Sequence, residues 1–136
     1  MKQMFGVIVM IAAAILGYTA VSYIMRPSAA SFDKGLMAAA SELNKTLPMM
    51  VDNETRFDSA VAGPGRMFFY SYTLVNMSGA DVDPADFATK MTPKLVNNYR
   101  TLPQMKTFRN NKVTLNYIYH DKDGVVITNI EVRAGS

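Results

Sequence analysis

The 136-residue sequence has no cysteine, no tryptophan and only one histidine. Without thiols there is no disulfide framework, no zinc–thiolate site, no redox pair and no lipid-modified N-terminal cysteine. A single imidazole leaves His120 as the one candidate for a histidine-dependent general base. Charge is also scarce, 18% of residues against about 25% in an average soluble domain. With 49% hydrophobic residues, this composition excludes a disordered tail and a collagen-like fibre. Glycine-rich phosphate loops, nucleophile elbows and histidine-rich metal motifs are missing too, so the chain reads as non-enzymatic, with no cofactor and no metal.

What the sequence does have begins at its N-terminus. Met4 to Met25 is a run of 22 residues without a charge. As a helix it would extend about 33 Å, enough to cross a hydrocarbon core. Lys2 precedes it, Arg26-Pro27 closes it, and Tyr18 and Tyr23 fall near its C-terminal end, where aromatic rings favour the headgroup layer. Residues 1–26 therefore read as a transmembrane anchor with the rest of the chain outside the cytoplasm. Gly6, Ala13 and Gly17 are its candidates for packing against another helix. The alternative is a cleaved secretory signal ending at Ser28-Ala29-Ala30, although an h-region usually runs only about 7–15 residues.

Residues 27–32 read as a hinge and 33–136 as one small α+β domain. Ser31 is a candidate N-cap, and Leu36, Ala40, Leu43 and Leu47 form the apolar stripe of a helix that Pro48 stops. Thr55–Ala62 alternates weakly and Gly63-Pro64-Gly65 marks a turn. Arg66–Val75 is the clearest strand, with Phe68, Tyr70, Tyr72 and Leu74 on one face and Met67, Phe69 and Val75 on the other. Apolar residues on both faces predict a central strand covered on both sides. Asp83-Pro84 starts a helix carrying Phe87, Met91, Leu95 and Tyr99, which Pro93 should kink or split. Thr101 would cap a further helix to Arg109, ending in a left-handed Asn110-Asn111. Val113–Tyr119 and Val125–Arg133 flank the turn Asp121–Gly124 as a final hairpin. Three or four antiparallel strands with helices packed on them satisfy this order.

Few residues invite a chemical role. Asp81, Asp83 and Asp86 could gather a hard cation, but a cap and a first-turn carboxylate explain Asp83 and Asp86. Asp121 and Asp123 with Gly124 are turn chemistry. His120 stands beside that turn, with Asp121 on the opposite side of the strand and poorly placed to orient its ring. The 11 methionines, Met49-Met50 among them, read as adaptable packing rather than Cu(I) ligands. Without Lys2 and Arg26 the remaining chain carries 12 basic and 11 acidic side chains, so its formal charge is no sign of nucleic-acid binding. Those charges are unevenly spread. Lys90, Lys94, Arg100, Lys106, Arg109 and Lys112 fall in one stretch with no acid, a candidate contact for an acidic partner or anionic lipid.

Leu43–Ser59 (LNKTLPMMVDNETRFDS), Tyr70–Asn76 (YSYTLVN) and Val113–Gly124 (VTLNYIYHDKDG) together resemble a family of small, largely uncharacterised bacterial envelope proteins, inner-membrane or periplasmic. The resemblance implies export and a compact α+β fold, with no activity or catalytic residue to carry over. Family members tend to have a cysteine near the position of Arg100 and another at the C-terminal end, and this chain has neither. The expectation is a single-pass inner-membrane protein with its domain in the periplasm. Its first functional reading is a module binding an envelope protein, or an incoming toxin or phage component, as an immunity or superinfection-exclusion factor does. A second is an accessory subunit of a secretion or pilus machine. The third is a ligand-binding protein or hydrolase using Tyr70, Tyr72 and His120 around a cleft. Oligomeric state is left open.

Overall fold

Phe32, Leu36, Ala40 and Leu43 recur at helical spacing and place one buried stripe along helix α1, Ala29–Asn44. The computed structural model describes residues 29–135. The hydrophobic run of residues 4–25, and with it Gly6, Ala13 and Gly17, lies outside them; among the described residues no helix is long and apolar enough to cross a membrane. Ser31 is not an N-cap, because the helix already includes Ala29 and Ala30, so residues 29–32 of the expected hinge are helical. The far end of α1 is pinned to the sheet by Asn44. Its Nδ2 donates to the Ala60 carbonyl (2.7 Å), and its Oδ1 accepts from the Ala60 N–H (2.8 Å).

Five strands follow: β1 (Met49–Met50), β2 (Thr55–Gly63), β3 (Met67–Leu74), β4 (Thr114–His120) and β5 (Val126–Val132). They lie side by side in chain order. β1, β2 and β3 pair antiparallel, as do β4 and β5, but β3 and β4 run parallel. The sheet is therefore five-stranded and mixed, not a three- or four-stranded antiparallel one. Two antiparallel strands can be joined by a tight turn, whereas a parallel pair needs a long crossover. Here the crossover carries helices α2 (Pro84–Thr101) and α3 (Lys106–Asn110).

α1 packs mainly on β2 and α2 mainly on β5, with Phe108 of α3 beside Phe68, their ring centroids 5.7 Å apart. All three close over one face. β3 is central, as its sequence predicts, but covered on that face alone among the described residues. Phe68, Tyr70, Tyr72 and Leu74 are buried, while Phe69 is half-buried on the open face beside exposed Val61. Polar groups occupy the same open face. Asp58, the extra residue of a bulge between Phe57 and Ser59, pairs with Arg56 on that face and accepts the Thr73 hydroxyl at 2.5 Å.

α2 runs through Pro93 as one helix, not as the two into which Pro93 could have split it. Pro93 is exposed, and so is Thr89, whose carbonyl the proline leaves without an intrahelical donor. Thr101 ends this helix rather than capping the next, its Oγ1 donating to the Asn97 carbonyl (2.7 Å). The left-handed residue after α3 is Lys112 (φ 55°), not Asn110 or Asn111.

The parallel register sets Tyr70 beside Tyr117 and Tyr72 beside Tyr119. Their ring centroids stand 4.8 and 5.2 Å apart, and Phe57 stacks on Tyr72 at 4.9 Å. None of these four tyrosine hydroxyls has a hydrogen-bond partner among the described residues. Tyr99 is different, because its hydroxyl reaches the carbonyls of Val113 (2.5 Å) and Phe108 (3.1 Å). Burial pushes all five phenols up, and neighbouring phenols add to the effect at Tyr70, Tyr72 and Tyr117.

Two outcomes follow for stability. An unpaired buried hydroxyl is a cost, whereas a hydrogen-bonded one contributes about 1 kcal/mol. Tyr117→Phe should therefore unfold at the same temperature as the wild type or higher. Tyr99→Phe should lose about 1 kcal/mol, a drop of several degrees in Tm. Thermal denaturation followed by circular dichroism checks both. The raised phenols also set the alkaline limit. Unfolded tyrosines release their protons near pH 10 while the native ones retain theirs, so this contribution is full below about pH 10 and is lost as pH rises above it. Phenolate absorbance of the buried tyrosines should then appear together with unfolding and not before it.

Candidate functional site

Asp83 precedes α2 in an extended conformation, and its carboxylate accepts from the N–H groups of Ala85 (3.0 Å) and Asp86 (3.4 Å). Pro84 occupies the first helical position, where its missing N–H costs nothing. This start sets the phase that turns Phe87 and Met91 inward, the Phe87 ring meeting Tyr119 edge-on at 4.8 Å. Facing these turns is the segment Met77–Val82, which includes a short 3-10 turn at Gly79–Asp81. Between segment and helix lies a cleft of about 540 Å³. Met77, Val82, Phe87 and Met91 give it an apolar lining, and Asp81, Asp83, Asp86, Lys90 and Lys94 line its charged side. Such a cavity is within the usual range for a bound small molecule or anchoring side chain, about 300–1,000 Å³.

Asp121 holds the wall of this cleft. One carboxylate oxygen accepts from the N–H groups of Asp123 (2.9 Å) and Val125 (3.0 Å), as expected of a turn. The other reaches across the fold to the Gly79 N–H at 3.1 Å, and the Lys122 N–H donates to the Met77 carbonyl at 2.8 Å. The β4–β5 turn thus grips the Met77–Val82 segment at two points. Glycine suits this position, because a Cβ would sit 3.0 Å from Asp121 Oδ2 and press on the carboxylate. The Val125 N–H foremost, then those of Asp123 and Gly79, hold the Asp121 carboxyl below its usual range against the opposing effect of burial.

The residues singled out in the sequence are dispersed. Lys90 and Lys94 lie on the cleft, Lys90 paired with Asp86 at 2.9 Å. Arg109 points inward, its Nη1 donating to the carbonyls of Tyr99 (3.0 Å) and Leu102 (2.6 Å), so it closes the C-terminal end of α2. Arg100, Lys106 and Lys112 are exposed on the last turn of α2, the start of α3 and the turn after it. The six cations are thus spread over three elements. Of the three aspartates, Asp83 caps α2, Asp86 pairs with Lys90, and Asp81 accepts from the Ser78 hydroxyl at 2.9 Å. The Tyr70–Tyr72–His120 grouping is not assembled. Both tyrosines are buried in the core, whereas His120 follows core-facing Tyr119 and lies half-buried on the open face. Its Nδ1 lies 2.9 Å from the Tyr72 carbonyl, which can only accept, so that nitrogen carries the proton.

The clasp can be tested apart from any partner. Asp121→Asn keeps one acceptor but loses the charge, and should lower Tm at neutral pH. Because the native carboxyl titrates below the unfolded one, its contribution is present above about pH 4 and is lost as pH falls through the native value. The Tm gap between wild type and variant should therefore narrow in acid. Gly79→Ala should lower Tm as well, through the 3.0 Å contact with Asp121.

The same fold occurs in solved proteins of distant sequence. A protein of Pseudomonas aeruginosa described as secreted superimposes with a TM-score of 0.63 at 12% identity, over 76% of this chain and 89% of that one. The pilotin of the Vibrio vulnificus type 2 secretion system does so with a TM-score of 0.59 at 12% identity, over 75% of this chain and 87% of its own. At that identity the likeness is one of fold. No curated protein matches the sequence. Residues 31–127 match the family described as "Domain of unknown function (DUF8479)", and the chain belongs to it.

Proposed function

We propose that this protein is a non-enzymatic accessory subunit of an envelope secretion or pilus machine, and that it binds a protein component of that machine in the cleft between Met77–Val82 and α2. The observation that carries the reading is the cleft itself: an apolar lining of Met77, Val82, Phe87 and Met91 with charged groups beside it, held by the Asp121 clasp. Apolar anchoring inside a polar rim is the usual anatomy of a protein-binding site. The fold shared with a pilotin of a type 2 secretion system and with a secreted protein supports an exported, envelope-facing role. The uncharged run of residues 4–25 supplies a tether to the inner membrane in this reading. Immunity and superinfection exclusion draw no support from the fold or its relatives.

The test is capture of the tagged full-length chain from detergent-solubilised membranes, with partners identified by mass spectrometry. Wild type should bring down one envelope component in stoichiometric amount. Val82→Glu places a charge on the half-buried wall of the cleft and should weaken that capture about tenfold, the equivalent of losing the burial of one valine side chain. Its Tm should stay close to wild type. A folded Val82→Glu that captures as well as wild type removes the cleft from the reading, and a wild type with no partner removes the subunit role.

A further inference from the structure

The charges of this domain are sorted along the strands. At one end of the sheet β2 and β5 finish while β3 and β4 begin: Gly63 pairs with Met67, Met67 with Thr114, and Leu115 with Val132. Arg66 ties the helices to that end. Its guanidinium lies 4.9 Å from the ring centroid of Phe32 near the start of α1, and its Nη1 donates to the Asn111 carbonyl after α3 at 2.9 Å. Tyr99 brings in the last turns of α2 through the Val113 carbonyl. Lys34, Arg100, Lys106 and Lys112 therefore gather at this end although they come from separate parts of the chain. All four are exposed, and none has a carboxylate within 4.0 Å among the described residues. The acids there are half-buried Asp33 and Glu131, the latter on Arg133 at 2.8 Å. The opposite end is acidic. Asp52 and Glu54 lie before β2, Asp81, Asp83 and Asp86 flank the start of α2, and two more aspartates form the β4–β5 turn. The lysines at that end, Lys90 and Lys122, lie 2.9 and 3.9 Å from Asp86 and Asp123.

We infer that the basic end is a contact surface for anionic lipid headgroups, on which the domain stands with its cleft directed away from the bilayer. Where the chain leads favours lipid over an acidic protein. α1 begins at this same end, and the four steps from Met25, where the uncharged run stops, to Ala29 span at most about 14 Å. The tether of the proposed function, on which this inference rests, thus keeps Ala29 within two Debye lengths of the bilayer, each about 8 Å in physiological salt. Each lysine or arginine close to an anionic surface strengthens attachment about fivefold. The carboxylates of the other end are repelled by the same surface, so the two ends cannot exchange places. The cleft between Met77–Val82 and the first turns of α2 belongs to the acidic end. It therefore opens away from the lipid, toward the space in which a soluble part of the partner would approach.

The native chain has no cysteine, so Asn110→Cys and Asn53→Cys each give the full-length protein one exposed thiol, at the basic and the acidic end respectively. A thiol-linked fluorophore at each position is read in vesicles of phosphatidylcholine alone and of an equimolar mixture with phosphatidylglycerol. Both carry a headgroup-nitroxide lipid that quenches on contact. The label at position 110 should be quenched about threefold more, or better, in the anionic vesicles than in the neutral ones. The label at position 53 should be quenched in neither. About 0.5 M salt, which shortens the Debye length to about 4 Å, should return position 110 to its neutral-vesicle value. Lys34→Glu combined with Lys106→Glu should do the same; circular dichroism checks the fold of that variant, and the salt measurement needs no substitution. Quenching at position 110 that ignores lipid charge, or equal quenching at both ends, overturns the inference. So does a double variant that keeps its lipid contact but no longer captures the envelope partner, because these cations then serve an acidic protein. Alkaline carbonate extraction reports the tether separately. A chain that carbonate releases, with position 110 quenched only in anionic vesicles, removes the tether and upholds the inference. A retained chain whose quenching ignores lipid charge does the reverse.

Discussion

The parallel pairing of β3 with β4 is the constraint on which the rest of this structure depends. It sets Tyr70 against Tyr117 and Tyr72 against Tyr119, and these rings are the floor on which the helices rest. Aromatic pairs at such separations contribute beyond the area they bury, and the four phenols are buried whole. Parallel pairing also dictates the path of the chain. The polypeptide must return from the end of β3 to the start of β4, and the long return carries α2 over β5. Without that return Met77–Val82 would have no helix to face, and there would be no cleft.

The clasp at Asp121 shows how a turn at one place in the chain governs a loop at another. Asp121 follows β4, and Gly79 lies 42 residues earlier, just after β3. Since β3 and β4 are parallel neighbours, both segments leave the sheet at the same end, which is why one carboxylate can bind both. The hydrogen bonds it accepts come from backbone N–H groups, so it fixes the path of the chain independently of which side chains line the cleft. Wall and floor are thereby held by different means: the wall by backbone hydrogen bonds, the floor by packing of Phe87 and Met91 into the core.

Local patterns in the sequence located most elements, because their causes are local. The alternating aromatics of Phe68–Leu74 announce a strand, Asp83-Pro84 a helix start, and Gly63-Pro64-Gly65 and Asp121–Gly124 their turns. What went unread involves partners distant in the chain. Strand direction is set by residues far apart, so the parallel β3–β4 pair looked like one more antiparallel neighbour. Asp121 has a sufficient local explanation in its turn, which concealed its bond to Gly79. Pro93 was read as kinking or splitting its helix, and the split did not occur; the stretch of lysines and arginines read as one face although Arg109 turns inward to the end of α2. The cleft did leave a signal: Met77 and Val82 are apolar residues in a short segment between a strand and a helix, where polar ones are usual.

The division of labour between the two long helices has a mechanical meaning. α1 holds β2 through the paired hydrogen bonds of Asn44, while α2 holds β5 at the other side of the sheet. A pull on the chain at Ala29 enters through α1 and reaches α2 chiefly by crossing the ladders from β2 to β3, β4 and β5. Tension along the strands would load those ladders in shear, sharing it among many hydrogen bonds at once. The five strands thus lie between α1 and the cleft beside α2, and load passed from one to the other crosses their ladders.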